Sequence, residues 1–148
     1  ILGRMYDRFT LYDDLPRGPD GAAAFEKVLC YVDTADTGRD YLCAVIAGAL
    51  EGRLWVLDVL YTDRGMEFTE PELSDMLVRH GVHEAWIESN NGGRGFARNV
   101  EGLLWSRSRW RGTRVTRAPG KCLNTPWLFR TPFKMNWGSR RRSASVRR

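Results

Sequence analysis

Apolar positions first gather at Val28-Leu29-Cys30-Tyr31-Val32, an unbroken run that stops at Asp33. Its length and β-branched content predict a central strand buried on both faces. Two further runs, residues 43–50 and 53–61, predict strands joined by Glu51-Gly52, a two-residue hairpin signal. The period then changes. Thr69-Glu70-Pro71-Glu72 reads as a helix start, with Thr69 as N-cap, Glu72 completing a capping box and Pro71 in the first turn. Leu73, Met76, Leu77 and His80 keep helical spacing, and Gly81 supplies the stop. Residues 83–88 form a short strand ending on Glu88, and Gly92-Gly93 leads into a second helix with Phe96, Val100, Leu103 and Leu104 on one face. Residues 111–117 offer one more strand. The order β-β-β-α-β-α-β predicts an α/β fold with a mixed sheet. Its first and fourth strands, joined through a helical crossover, can lie parallel and adjacent.

Both ends of the chain lack this regularity. Residues 1–24 read as an irregular lead-in, with Tyr6, Phe9, Leu11 and Tyr12 as anchors and dense turn chemistry at Pro16-Arg17-Gly18-Pro19-Asp20-Gly21. After Pro119 no periodicity is clear, and Arg140-Arg141-Arg142-Ser143-Ala144-Ser145 has the composition of a disordered segment. The organisation expected is a lead-in over 1–24, a folded body over 25–118 and a basic tail over 119–148.

A length of 148 residues suits one domain, or one domain with an appendage. The longest apolar runs fall far short of the roughly 20 residues a membrane-spanning helix needs, so no membrane partner is expected. No secretory leader is expected either. Cys30, Cys43 and Cys122 are odd in number and contain no CxxC pair, which favours reduced thiols over a disulfide or zinc site. The net charge of +5 hides an uneven division. Up to Glu101 there are 10 Lys+Arg against 18 Asp+Glu; after it there are 13 Lys+Arg and no acid. An acidic body thus carries a basic end, able to neutralise phosphates or simply to be solvated.

Candidate chemistry sits at two strand ends. Asp33 and Glu88 each terminate an apolar strand, and in open sheets with helical crossovers sites form outside the carboxyl ends of parallel strands. On neighbouring strands about 4.8 Å apart, two carboxylates share one crevice. They need a shared cation, or one must stay protonated. Hard oxygen ligands favour Mg²⁺ or Mn²⁺, and a two-metal site activates water for phosphodiester hydrolysis. Solvated strand ends are the plainer alternative. Arg94 and Arg98, one helical turn apart, are candidates for DNA contact, as are Arg107, Arg109 and Arg111 interleaved with Trp105 and Trp110. Glycines in Asn90-Asn91-Gly92-Gly93 suit close approach of a phosphate or a plain turn. His80 and His83 straddle a helix stop and need not converge on a metal.

Two stretches carry a family resemblance. Tyr31-Val32-Asp33-Thr34-Ala35-Asp36-Thr37-Gly38-Arg39-Asp40-Tyr41 resembles the first strand and turn of the nuclease domain of phage terminase large subunits. Ala85-Trp86-Ile87-Glu88-Ser89-Asn90-Asn91-Gly92-Gly93-Arg94-Gly95-Phe96-Ala97-Arg98 resembles that family's fourth strand and following helix. Gly52-Arg53-Leu54-Trp55-Val56-Leu57-Asp58-Val59 fits the third strand. The resemblance covers residues 1–105 or so. It implies an RNase H-like mixed β-sheet flanked by helices. It also implies a metal-dependent endonuclease that cuts concatemeric double-stranded viral DNA during capsid filling. Asp33 and Glu88 match the family's first- and fourth-strand metal ligands and catalytic acids, and Asp40 matches a second acid of the first motif, an auxiliary ligand. Mg²⁺ or Mn²⁺ is the implied cofactor. The implied partners are the terminase ATPase domain, the small terminase subunit and the portal, in the bacterial host cytoplasm at the procapsid.

The chain departs from the family pattern in its last third. A third acidic ligand in a C-terminal helix is expected, yet no Asp or Glu follows Glu101. Truncation, or replacement of the end through a frameshift, would account for this. No G-x-x-x-x-G-K-[ST] loop occurs, so no ATP-binding cradle is assigned. Two other readings stay open at this point: an inactive DNA- or partner-binding fragment of the same fold, and another RNase H-like nuclease such as a junction resolvase.

Overall fold

The computed structural model describes residues 10–34, 40–88, 93–106, 113–118, 134–138 and 146–147; for Ala118 and residues 134–138 and 146–147 it describes the backbone alone. The elements are β1 (Thr10–Tyr12), β2 (Lys27–Asp33), β3 (Leu42–Leu50), β4 (Arg53–Thr62), α1 (Met66–Arg79), β5 (Glu84–Glu88), α2 (Gly93–Ser106), β6 (Arg114–Ala118), β7 (Lys134–Gly138) and β8 (Val146–Arg147). One sheet runs β1-β7-β4-β3-β2-β5-β6, with β8 beside β4. Strands β2, β3 and β4 form an antiparallel meander, while β5 and β6 join parallel to β2 and to each other. The expected parallel neighbours, first and fourth strand of the body, are β2 and β5.

The hairpin between β3 and β4 turns on Glu51 at φ 49° and Gly52 at φ 70°. Two consecutive left-handed residues match the right-handed twist of the flanking strands, which is why a two-residue loop suffices. Opposite Ile46 and Ala47 the register shifts, leaving Leu57 as an extra residue between Val56 and Asp58.

Helices α1 and α2 cover one face of the sheet. Leu73, Met76 and Leu77 of α1 and Phe96, Ala97, Val100 and Leu104 of α2 pack on Val28, Cys30, Val32, Leu42, Ala44, Ile46, Leu60, Ala85 and Ile87. Burial of each Val, Leu, Ile, Phe or Met among them contributes about 1.5–3 kcal/mol. Strand β2 is therefore buried on one face only: Leu29 and Tyr31 on the other are half-buried, because both helices lie on the same side.

Helix α1 starts earlier than its sequence signal. Gly65 is the N-cap and Thr69 lies a turn inside, its Oγ1 donating 3.3 Å to the Gly65 carbonyl. The hydroxyl thus bonds back to residue i−4 instead of capping. Pro71 consequently falls within the helix. The C-terminal end follows expectation. Gly81 has φ 59°, its N–H reaches Val78 at 3.1 Å, and the Val82 N–H reaches Leu77 at 3.0 Å. This pair closes a Schellman motif, which requires the left-handed glycine.

The last strand of the body starts at Arg114, three residues later than the pattern suggested, and residues 111–112 lie outside the described residues. Three short strands arise where no periodicity predicted them: β1 pairs parallel with β7, and β7 and β8 pair parallel with β4. Two- to five-residue strands carry too few side chains to show a period of two. Arg140 to Ser145, expected to be disordered, lie outside the described residues.

Candidate metal centre

The register of β2 against β5 is fixed at both ends. At the amino ends Lys27 Nζ lies 3.0 Å from Glu84 Oε1, the Val28 N–H donates to His83 Nδ1 at 3.1 Å, and the His83 N–H donates to the Val28 carbonyl at 2.8 Å. At the carboxyl ends Thr34 Oγ1 donates to the Glu88 carbonyl at 3.3 Å. Between them Val32 stands beside Ile87, so Asp33 and Glu88 come next, side by side. Val32 and Ile87 point into the helix-covered core, and alternation sends both acids to the opposite face.

Gly93, the first residue of α2, completes the junction. A Cβ there would collide with the Glu88 carbonyl oxygen and come within 2.9 Å of Thr34 Oγ1. Only a residue without a side chain lets the helix start so close to the end of β5. Thr34 did not stand out in the sequence as a site residue, and Gly93 was read as part of a phosphate approach or a plain turn, not as a packing contact. The signal was there in the double glycine, but a flexible turn and a close backbone approach look alike until the packing is known.

The Asp33 carboxyl is pushed up to about 6. Partial burial is the largest cause; the hydrogen bond to Glu88, the charge of Glu88 and the charge of Asp40 add to it. A hydrogen bond between two carboxyls requires a proton on one of them. Glu88 is buried at 8% exposure, whereas Asp33 and Asp40 are exposed. The Cys43 thiol, directly opposite Asp33 on β3, is raised by burial and then by the Asp33 charge. It behaves as a small apolar wall of the site. Cys30 is buried in the core, and both cysteines are free thiols; Cys122 lies outside the described residues.

Of the other candidates, Arg94 and Arg98 lie exposed on α2, four residues apart. Trp105 is also exposed, at 71%. Arg107, Arg109, Trp110 and Arg111 lie outside the described residues, as do Asp36 and residues 89–92. His80 and His83 do not converge: His80 Nε2 is 3.0 Å from Asp58 Oδ2, while His83 engages the Val28 amide. Asp58, buried at 4% exposure beneath the helices, also lies 3.6 Å from Arg79. That network joins α1 to β4 and stands apart from the acids on the open face. Among the described residues no three His, Cys, Asp or Glu side chains are grouped to hold a metal. The pair suits a hard cation nevertheless, because Mg²⁺ commonly takes one or two carboxylates and completes its shell with water and substrate phosphate. Above about pH 6, where Asp33 has lost its proton, two adjacent carboxylates supply the negative charge such an ion neutralises.

This architecture has solved counterparts. A mutant of the nuclease portion of the large terminase subunit from bacteriophage Sf6, with calcium, matches over 66% of this chain and 40% of its own, at 15% identity and TM-score 0.53. The nuclease domain of the same Sf6 subunit matches over 66% and 39%, at 15% identity and TM-score 0.52. A mutant of that domain with manganese matches over 73% and 45%, at 14% identity and TM-score 0.50. The chain has the fold of a terminase nuclease domain. The RNase H-like mixed sheet flanked by helices expected from the sequence is thereby borne out. The chain spans less than half the length of each of these solved chains. No family model and no curated protein matches it. Among the described residues no helix is long and apolar enough to cross a membrane.

Proposed function

We propose that this chain is the metal-dependent endonuclease domain of a viral DNA-packaging terminase, cutting concatemeric double-stranded DNA during capsid filling. The observation that carries the reading is the Asp33–Glu88 carboxyl pair at the ends of adjacent parallel strands, on a terminase-nuclease fold. The counterparts solved with calcium and with manganese make a divalent ion the natural third party. Asp33 and Glu88 would hold Mg²⁺ or Mn²⁺, with Asp40 as an auxiliary acid. Bound there, the ion supplies positive charge that acidifies water and stabilises the leaving oxygen of a phosphodiester.

The remaining work falls to residues of the chain. Asp33 would face the cation as a carboxylate, so below about pH 6 it must first give up its proton. Thr34 and Gly93 hold the ends of β2 and β5 together so that the two carboxyls stay paired. Arg94 and Arg98 bind phosphate oxygens of the duplex and orient it, and Arg107, Arg109 and Arg111, which follow α2 in the sequence, are further candidates for phosphate contact. Such contacts carry little sequence information. The same reading assigns the ATPase domain, small subunit and portal as partners and the host cytoplasm at the procapsid as the place of action. The structural likeness to terminase nucleases does not favour a junction resolvase.

Nicking of supercoiled plasmid in Mn²⁺ tests the proposal. The wild-type chain should cut, and Asp33→Asn, Glu88→Gln and EDTA should each stop it while circular dichroism remains native. Undiminished cutting by Glu88→Gln or in EDTA would overturn the assignment. A folded wild-type chain that binds duplex without cutting it would mark an inactive DNA-binding form of the fold, in keeping with the absence of acids after Glu101.

A further inference from the structure

The open face of the sheet carries a row of side chains that the carboxyl pair only begins. Asp33 stands opposite Cys43, and Cys43 opposite Tyr61, so the row crosses from β5 to β4 as Glu88, Asp33, Cys43, Tyr61. Tyr41, just before β3, stacks on Tyr61 with ring centroids 4.7 Å apart and planes 10° from parallel. Both rings stand out in solvent, at 46% and 44% exposure. Their alternate neighbours Leu42 and Leu60 are buried in the helix-covered core, which fixes the tyrosines on the same face as the acids. Two strand spacings put Tyr61 about 10 Å across the sheet from Asp33.

We propose that Tyr41 and Tyr61 form a stacking platform for an unpaired nucleotide of the DNA held at the carboxyl pair. This inference rests on the nuclease reading of Asp33 and Glu88. Each ring has one face that its partner does not cover, and a nucleobase added there lengthens the stack. Within duplex DNA both faces of a base are already covered by its neighbours. Apart from the outer face of a terminal pair, whose bases stay tied to each other, only a frayed, overhanging or single-stranded base offers a free face, so the platform favours unpaired DNA beside the scissile phosphate. Stacking on an aromatic ring tolerates any sequence, because every base has a π-face. Cys43, between the acids and the rings, adds no charge of its own to that path.

The test is fluorescence anisotropy in EDTA with three labelled DNAs: a blunt duplex, the same duplex with a single-stranded overhang, and the single strand alone. The wild-type chain should prefer the overhang to the blunt end. Tyr41→Ala with Tyr61→Ala should weaken overhang binding by about tenfold, as expected for losing base stacking, and leave blunt-duplex binding unchanged. Tyr41→Phe with Tyr61→Phe keeps the ring faces and should bind as the wild type does. Equal overhang affinity for the Ala variant and the wild type would overturn the platform. A Phe variant as weak as the Ala variant would also overturn it, by pointing to the hydroxyls. Plasmid nicking in Mn²⁺ by the same proteins separates the two claims. Cutting by wild type with no overhang effect in the Ala variant sinks the platform and leaves the nuclease. Overhang preference that depends on the rings, without any cutting, sinks the nuclease and leaves the platform.

Discussion

Asp33 concentrates the physical chemistry of the site. Its carboxyl, raised from 3.8 to about 6 by partial burial and by Glu88 and Asp40, holds a proton in the folded state that it has lost in the unfolded state. Between these two values the folded form binds more protons, so stability falls as pH rises from about 4 to about 6 and then levels off. Without metal, Asp33→Asn should therefore raise the urea midpoint at pH 8 and leave it unchanged at pH 3.5. An equal gain at both pH values would show that the substitution acts through packing instead. Divalent ions reverse the balance, because they require the deprotonated pair. Mn²⁺ affinity, followed by isothermal titration calorimetry, should rise through pH 6 and then plateau. In sequence Asp33 and Glu88 were legible as strand-ending acids. That one of them would keep a proton or share a cation followed only if their strands were neighbours, which residues far apart in the chain do not settle by themselves.

At the level of elements, the β5–α2 junction decides whether the two acids meet. Gly93→Ala would press a methyl group against the Glu88 carbonyl, and overpacking of this kind costs about 1–3 kcal/mol. Gly95 and Gly102 on the same helix have open space around them. Alanine at either should stabilise by up to about 1 kcal/mol, the helix-propensity difference. Urea midpoints of the three variants should thus split by sign, and only Gly93→Ala should lose Mn²⁺ binding. A neutral Gly93→Ala would mean that the junction relaxes freely. The start of α1 shows how a local signal misleads. Thr-x-x-Glu is a valid capping pattern, but the helix gained an extra turn through Gly65 and placed Thr69 inside, buried at 1% exposure. Packing of Thr69 against the protein interior outweighed its preference for a cap. The hairpin at Glu51-Gly52 and the stop at Gly81 were legible because both depend on local access to positive φ at or beside a glycine.

For the whole molecule, charge is the dominant asymmetry. The residues after Glu101 carry all 13 of their ionisable charges as Lys or Arg, against an acidic remainder. Duplex binding in EDTA should weaken steeply with salt, because each phosphate neutralised releases counterions. Arg94→Ala and Arg98→Ala should each lower the slope of log K against log salt by about 1, uniformly across DNA sequences. A slope untouched by either change would remove α2 from the DNA path. The sheet also extends beyond the body that periodicity outlined. Strand β7 lies between β4 and β1, so segments from near both ends of the chain meet at the edge of β4.

The sequence by itself determined the meander, the two helices and the two acids that end β2 and β5. Each is a local pattern: periodicity, a turn residue or a strand terminus. Tertiary structure decided which face the acids share, the single helix-covered side of the sheet, the close approach at Gly93 and the row that brings Tyr61 into line with Asp33. These depend on register between strands and on which surface the helices choose. A one-residue slip would send every side chain of a strand to the other face, and it is the clamps at both ends of β2 and β5 that forbid it.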